Sequence, residues 1–165
     1  MNIVLRVAFV LPLAALALFS TTLAAEAPLS YKGLRVPPLP SDHKDLGGYL
    51  VNPNAPTEYA VIEVRSGKKQ MWWLQKIVSR DAKGKPQWEV VAVMTVPKIP
   101  KAYYFLMGLC EKDGVAVPEI IAAAKSEDKE RLEKIHSAWF VNLKTHSFEP
   151  YSTKGVVCIN EGFGA

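Results

Sequence analysis

The chain of 165 residues carries 20 Lys+Arg against 16 Asp+Glu, with 49% hydrophobic and 22% charged residues. That is enough apolar material for one compact domain and too little chain for two, which excludes a disordered tail protein and a large multidomain enzyme. No catalytic, nucleotide-binding or metal motif of diagnostic spacing stands out.

The first 25 residues hold a single charge, Arg6, then the apolar run Val7 to Phe19, then small residues ending in Ala24-Ala25. This pattern predicts a secretory signal peptide cleaved after Ala24 or Ala25. The apolar run of 13 residues is shorter than the roughly 20 needed to span a bilayer. A bacterial lipoprotein anchor needs a Cys at the cleavage point, and the two cysteines lie far downstream, so the expected product is a soluble periplasmic or secreted protein. Without Arg6 the balance is 19 basic against 16 acidic side chains, a mild positive charge that does not ask for nucleic acid.

Between residues 26 and 57, Pro28, Pro37, Pro38, Pro40, Pro53 and Pro56 with Gly33, Gly47 and Gly48 leave no sustained period of two or 3.6. The expectation is an irregular, extended arm, with a short helical turn near Ser41–Leu46 capped by Ser41. Residues 58–165 then form a single α+β domain. Its clearest element is a hairpin of Met71–Ser79 and Gln87–Val96 around the turn Asp81-Ala82-Lys83-Gly84. One continuous register pairs Arg80 with Lys85, sets Trp73 opposite Ala92, and sets Lys76 opposite Glu89 in a favourable charge pair.

Tyr103–Leu109 reads as a strand and Glu111-Lys112-Asp113-Gly114 as a second turn. Residues 119–125 fit either a strand, pairing Tyr104 with Ile121, or a helix begun at Pro118; the strand is preferred. A helix is then expected over Glu127–Ser137, capped by Ser126, burying Leu132, Ile135 and Trp139. A last hairpin runs from Ala138–Asn142 through Leu143–His146 to Phe148–Tyr151, with Asn142 opening the turn and His146 at a left-handed position. Val156–Ile159 closes the domain and the Gly-rich tail after it is a loop. The expected fold is α+β: a mostly antiparallel sheet of four to six strands, one packed helix, the Pro-rich N-terminal arm and one disulfide.

Two cysteines in an exported chain predict a Cys110–Cys158 disulfide, which leaves no thiolate for nucleophilic catalysis. His43, His136 and His146 lack the close pairing of zinc ligands, so neither metal nor cofactor is expected. The acids at Glu127, Asp128, Glu130 and Glu133 alternate with Lys129, Arg131 and Lys134 as on a solvated helix face. Adjacent Trp72 and Trp73 point to opposite faces, which makes one of them a candidate contact residue, and Lys83 and Lys85 on the hairpin turn are candidates beside them.

These features fit a small exported binding protein of the bacterial envelope, of the inhibitor or immunity type, acting through surface contacts on an envelope or extracellular protein or glycan. Two alternatives come from other classes. One is an envelope hydrolase with a dispersed site of His136, Glu111 and Asp113; the other is a carrier of a small apolar ligand.

Overall fold

A computed structural model describes residues 31–53 and 55–164. The expected signal peptide lies outside the described residues. Thirteen strands, β1 (Arg35–Val36), β2 (His43–Leu50), β3 (Tyr59–Ser66), β4 (Lys69–Arg80), β5 (Pro86–Thr95), β6 (Tyr103–Met107), β7 (Cys110–Lys112), β8 (Val115–Ala116), β9 (Ile120–Lys125), β10 (Arg131–Leu132), β11 (Ile135–Asn142), β12 (Ser147–Tyr151) and β13 (Val156–Ile159), make up the regular structure. They form three antiparallel sheets, ordered β1-β5-β4-β3-β2, β12-β11-β9-β6 and β10-β13-β7-β8. The described residues contain no helix, so the α+β expectation is corrected to an all-β fold.

The expected helix over Glu127–Ser137 is instead a loop, the short strand β10 and the start of β11. Its composition favours a helix, but only Leu132 and Ile135 would form the apolar stripe, and isolated helices of that length are marginal in water. Strand pairing offers more: β11 hydrogen-bonds to β9 on one side and β12 on the other, setting Ala138 opposite Ala122 and Trp139 opposite Ile121. The loop before β10 is held from the tail. The Asn160 amide donates to the carbonyls of Glu127 and Lys129, and the Asn160 backbone N–H to that of Glu130.

The layers follow from side-chain alternation. From β9, Ile121 joins Trp72, Leu74, Val61 and Val141 in a core between the five-stranded sheet and the β12-β11-β9-β6 sheet. Ile120, Ala122 and Ala124 face the other way, onto Leu132, Val156 and the cysteines of the third sheet. Strand β9 is thus covered on both faces, which is why Ile-Ile-Ala-Ala-Ala shows no polar alternation. Cys110 and Cys158 are direct cross-strand partners on β7 and β13 and form the expected disulfide.

Three registers differ from the sequence-based expectation. In the β4–β5 hairpin, Gln75–Val90, Lys76–Glu89 and Ile77–Trp88 pair as expected, but bulges on either side shift the rest. Trp73 therefore meets Val93, not Ala92, and Arg80 meets Pro86, not Lys85. The bulge at Val91 places both Val91 and Ala92 toward the inter-sheet core, filling it opposite Trp72 and Leu74. Tyr104 pairs with Ala124, not Ile121, because the tight β7–β8 hairpin, turned by Asp113 (φ 51) and Gly114 (φ 83), is inserted between β6 and β9. Within the N-terminal arm, Ser41–Leu46 is not a helical turn: from His43 onward it is strand, paired along β3 with a bulge at Asp45/Gly48. β1 likewise adds to β5.

Candidate functional site

The outer face of the five-stranded sheet is divided into two halves. On one half, Met71, Trp73, Val64 and Val90 are sealed by the arm residues Tyr31, Leu34, Leu39 and Val36. Tyr31 lies over Trp73 with ring centroids 4.8 Å apart, and His43 completes the aromatic group. The arm stops short of the other half, which is left as a cleft.

The cleft comprises two adjoining hollows, of about 340 and 290 Å³, which share Asp45, Ile62, Gln75 and Trp88. Val36, Pro37 and Leu39 from the arm wall the first hollow and Lys85-Pro86 close its far rim. The second runs under Gly48 and Leu50 of β2. Gly48 is required there, because a Cβ would come within 2.8 Å of the Ile62 Cα and collide with the Val61 carbonyl. Volumes of this size lie at the lower end of small-ligand sites, and the lining is largely apolar.

Gln75 is the one amide side chain in the lining. It is 2% exposed, and its amide Nε2 has no hydrogen-bond partner. It occupies the position in the row Met71, Trp73, Gln75, Ile77 where strand alternation calls for an apolar residue. A buried donor without an acceptor costs about 1–3 kcal/mol. On the rim, the Asp45 carboxylate already accepts the Gly47 N–H at 2.8 Å, while Lys85 enters no ion pair among the described residues.

The residues singled out from sequence fall in different places. Trp72 and Trp73 are fully buried. Trp72 packs edge-to-face against Phe105 and Trp139 between sheets, and Trp73 lies under the arm, so neither offers a contact surface. Lys83 sits exposed on the β4–β5 turn, where Asp81 Oδ1 accepts the backbone N–H groups of Lys83 and Lys85. Only Lys85 borders the cleft.

The dispersed hydrolase residues do not meet as a catalytic group. The Glu111 carboxylate pairs with Arg131 at 2.6 Å, which holds it below the usual carboxylate range. Asp113 pairs with Lys112 at 2.9 Å, and the His136 ring lies 5.2 Å from that of Tyr103. A hydroxyl, a carboxylate and an imidazole do converge at the start of β2: Ser66 Oγ donates to Asp42 Oδ2, and Asp42 Oδ1 bonds His43 Nδ1. The order is wrong for nucleophilic catalysis, because the carboxylate lies between the other two and the imidazole does not touch the hydroxyl. Both bonds lower the Asp42 pKa, Ser66 contributing most.

His146 takes the left-handed conformation expected of it (φ 52) and its Nε2 meets the Tyr59 hydroxyl at 3.0 Å, tying the last hairpin to β3. No group of three or more His, Cys, Asp or Glu able to hold a metal occurs among the described residues. Sequence reasoning missed the cleft because half of its wall comes from the arm. The one available signal was Gln75, a lone amide within an apolar run. No protein-family model, curated protein or solved structure matches the chain.

Proposed function

We propose that this chain is an exported binding protein that holds a small, largely apolar molecule in the cleft on the outer face of its five-stranded sheet. The observation that carries this reading is the pair of adjoining, largely apolar hollows left open on a sheet face that the arm seals elsewhere. The surface-contact reading favoured from the sequence is left without its two aromatic anchors, since Trp72 and Trp73 are buried. The periplasmic or secreted location is part of the same proposal, supported by the N-terminal pattern and compatible with the disulfide.

The test is titration with a neutral naphthylamine dye whose emission rises in apolar surroundings, excited by energy transfer from Trp88, which lines both hollows. Saturable binding is expected, and Ile62→Trp, which fills the shared floor, abolishes it. Unsaturable binding, or binding indifferent to Ile62→Trp, rejects the cleft as the site.

A further inference from the structure

We infer that the free edge of β6 pairs with β6 of a second copy of this chain, antiparallel about a two-fold axis at Leu106, so that two β12-β11-β9-β6 sheets join into one. The pairing is independent of the cleft, which lies on the five-stranded sheet.

β6 is the one edge strand among the described residues that carries none of the features by which sheet edges avoid pairing. β1, β8 and β10 are two residues long. β2 carries Lys44, Asp45 and a bulge, and β12 carries Glu149 and Pro150. β6 is Tyr-Tyr-Phe-Leu-Met, pairs with β9 in unbroken register, and has no charged residue from Ala102 to Cys110. Beside it Leu46 of β2, 41% exposed, borders a groove of about 260 Å³ with Phe105 and Met107.

The occupant follows from which backbone groups are free. The Ala102 carbonyl accepts the Ser126 N–H and the Gly108 N–H donates to the Ile120 carbonyl, so the even-numbered residues of β6 bond to β9 and the odd-numbered ones face outward. The ends of that outward row are occupied: the Tyr103 N–H donates to the Pro100 carbonyl, and the Leu109 carbonyl accepts the Ile159 N–H. The N–H and C=O of Phe105 and of Met107 are left without a backbone partner among the described residues. A two-fold axis at Leu106 sets Phe105 opposite Met107 of the second copy, and Met107 opposite its Phe105. Each pair then exchanges both bonds, and every free group is used. The neutrality of the strand removes the like-charge contact that pairing a chain with itself otherwise brings.

Light scattering coupled to size exclusion reads the mass of the purified protein, expected to be that of two chains. Leu106→Cys tests the register. Directly opposite residues at a non-hydrogen-bonded site lie about 4.5 Å apart at Cα, within the span of a disulfide, so mild oxidation is expected to give a covalent two-chain product. Tyr104→Cys, which faces Gly108 of the second copy, is expected to give none. Met107→Pro removes an outward donor, keeps the β9 ladder and is expected to return the mass to one chain with its strand signal in circular dichroism retained. A single-chain mass at every concentration overturns the proposal and leaves the edge to an extended segment of another protein. A mass above two chains, a two-chain mass that Met107→Pro leaves unchanged, or a Leu106→Cys protein that does not cross-link overturns it equally. Should the variants fail to fold, hydrogen exchange on the unaltered protein decides the matter: the Phe105 and Met107 N–H groups are expected to exchange slowly, and exchange as fast as at an open edge overturns the pairing.

Discussion

Replacing Gln75 by Met tests what the buried, unpartnered amide on β4 costs the fold. The side chain sits on β4 between Ala60 of β3 and Val90 of β5, 2% exposed, with its Nε2 unpartnered. Met has a similar length and can lie along Ile62 and Trp88 without a new cavity, so the substitution removes a desolvated donor at little packing cost. An unsatisfied buried donor costs about 1–3 kcal/mol, and part of that is offset by the contact the amide makes with the cleft walls. The ligand-free Gln75→Met protein is therefore expected to be more stable by about 1–2 kcal/mol. With an unfolding entropy of about 2 cal/mol/K per residue, a domain of this size gains roughly 4 °C in Tm for each kcal/mol. Urea unfolding followed by Trp fluorescence should show a higher midpoint at unchanged slope. Gln75→Ala, which removes packing as well as the amide, should be less stable than Gln75→Met. If Gln75→Met proves less stable than the parent by about 1 kcal/mol or more, the amide is satisfied in the folded state and the reasoning fails.

Other expectations concern the scaffold. Replacing both cysteines by Ala frees a 48-residue separation, for which the chain-entropy relation gives a loss of about 4 kcal/mol, read from the urea midpoint; a loss below about 1 kcal/mol would contradict it. Gly48→Ala should cost about 1–3 kcal/mol, because the Cβ has no room beside Val61 and Ile62, and hydrogen exchange should quicken along β2 while β9 stays protected. Stability should also fall in acid. Arg131 holds Glu111, Lys134 holds Glu127, and the Ser147, Thr145 and Asn142 side chains hold Glu149 below the ordinary glutamate value of 4.5. Carboxylates depressed in the folded state bind protons more readily when unfolded, so their contribution is complete above the unfolded pKa and lost as pH falls through and below about 4.5. Glu111→Gln with Glu149→Gln should flatten that acid limb, and an unchanged slope would assign it to other groups.

The central hairpin, the last hairpin with its Asn142 and His146 turn, and the disulfide were legible in the chain because each rests on local chemistry. Alternating apolar residues, an Asp-to-Gly turn, an Asx turn closed by Lys144 and Thr145 N–H groups, and an even cysteine pair all carry their signal within a few residues. The charged segment from Glu127 to Lys134 misled for the same reason. Its local preference is helical, but β9, β12 and β13 offer its neighbours a pairing that no window of sequence contains.

The bulge at Val91 was hidden because it answers to the shape of the core that Trp72 and Leu74 leave to be filled. The cleft was hidden because it is a difference between two halves of one sheet face, set by where the arm stops. Sequence alone determined the strands with strong alternation, the turns and the cross-link, since each is encoded by neighbours along the chain. The tertiary structure decided which sheet each strand joined, that both tryptophans would be covered, and that Gln75 would lie buried without an acceptor. Those outcomes depend on surfaces contributed by residues far apart in sequence, and burial belongs to the assembled surface rather than to any segment of it.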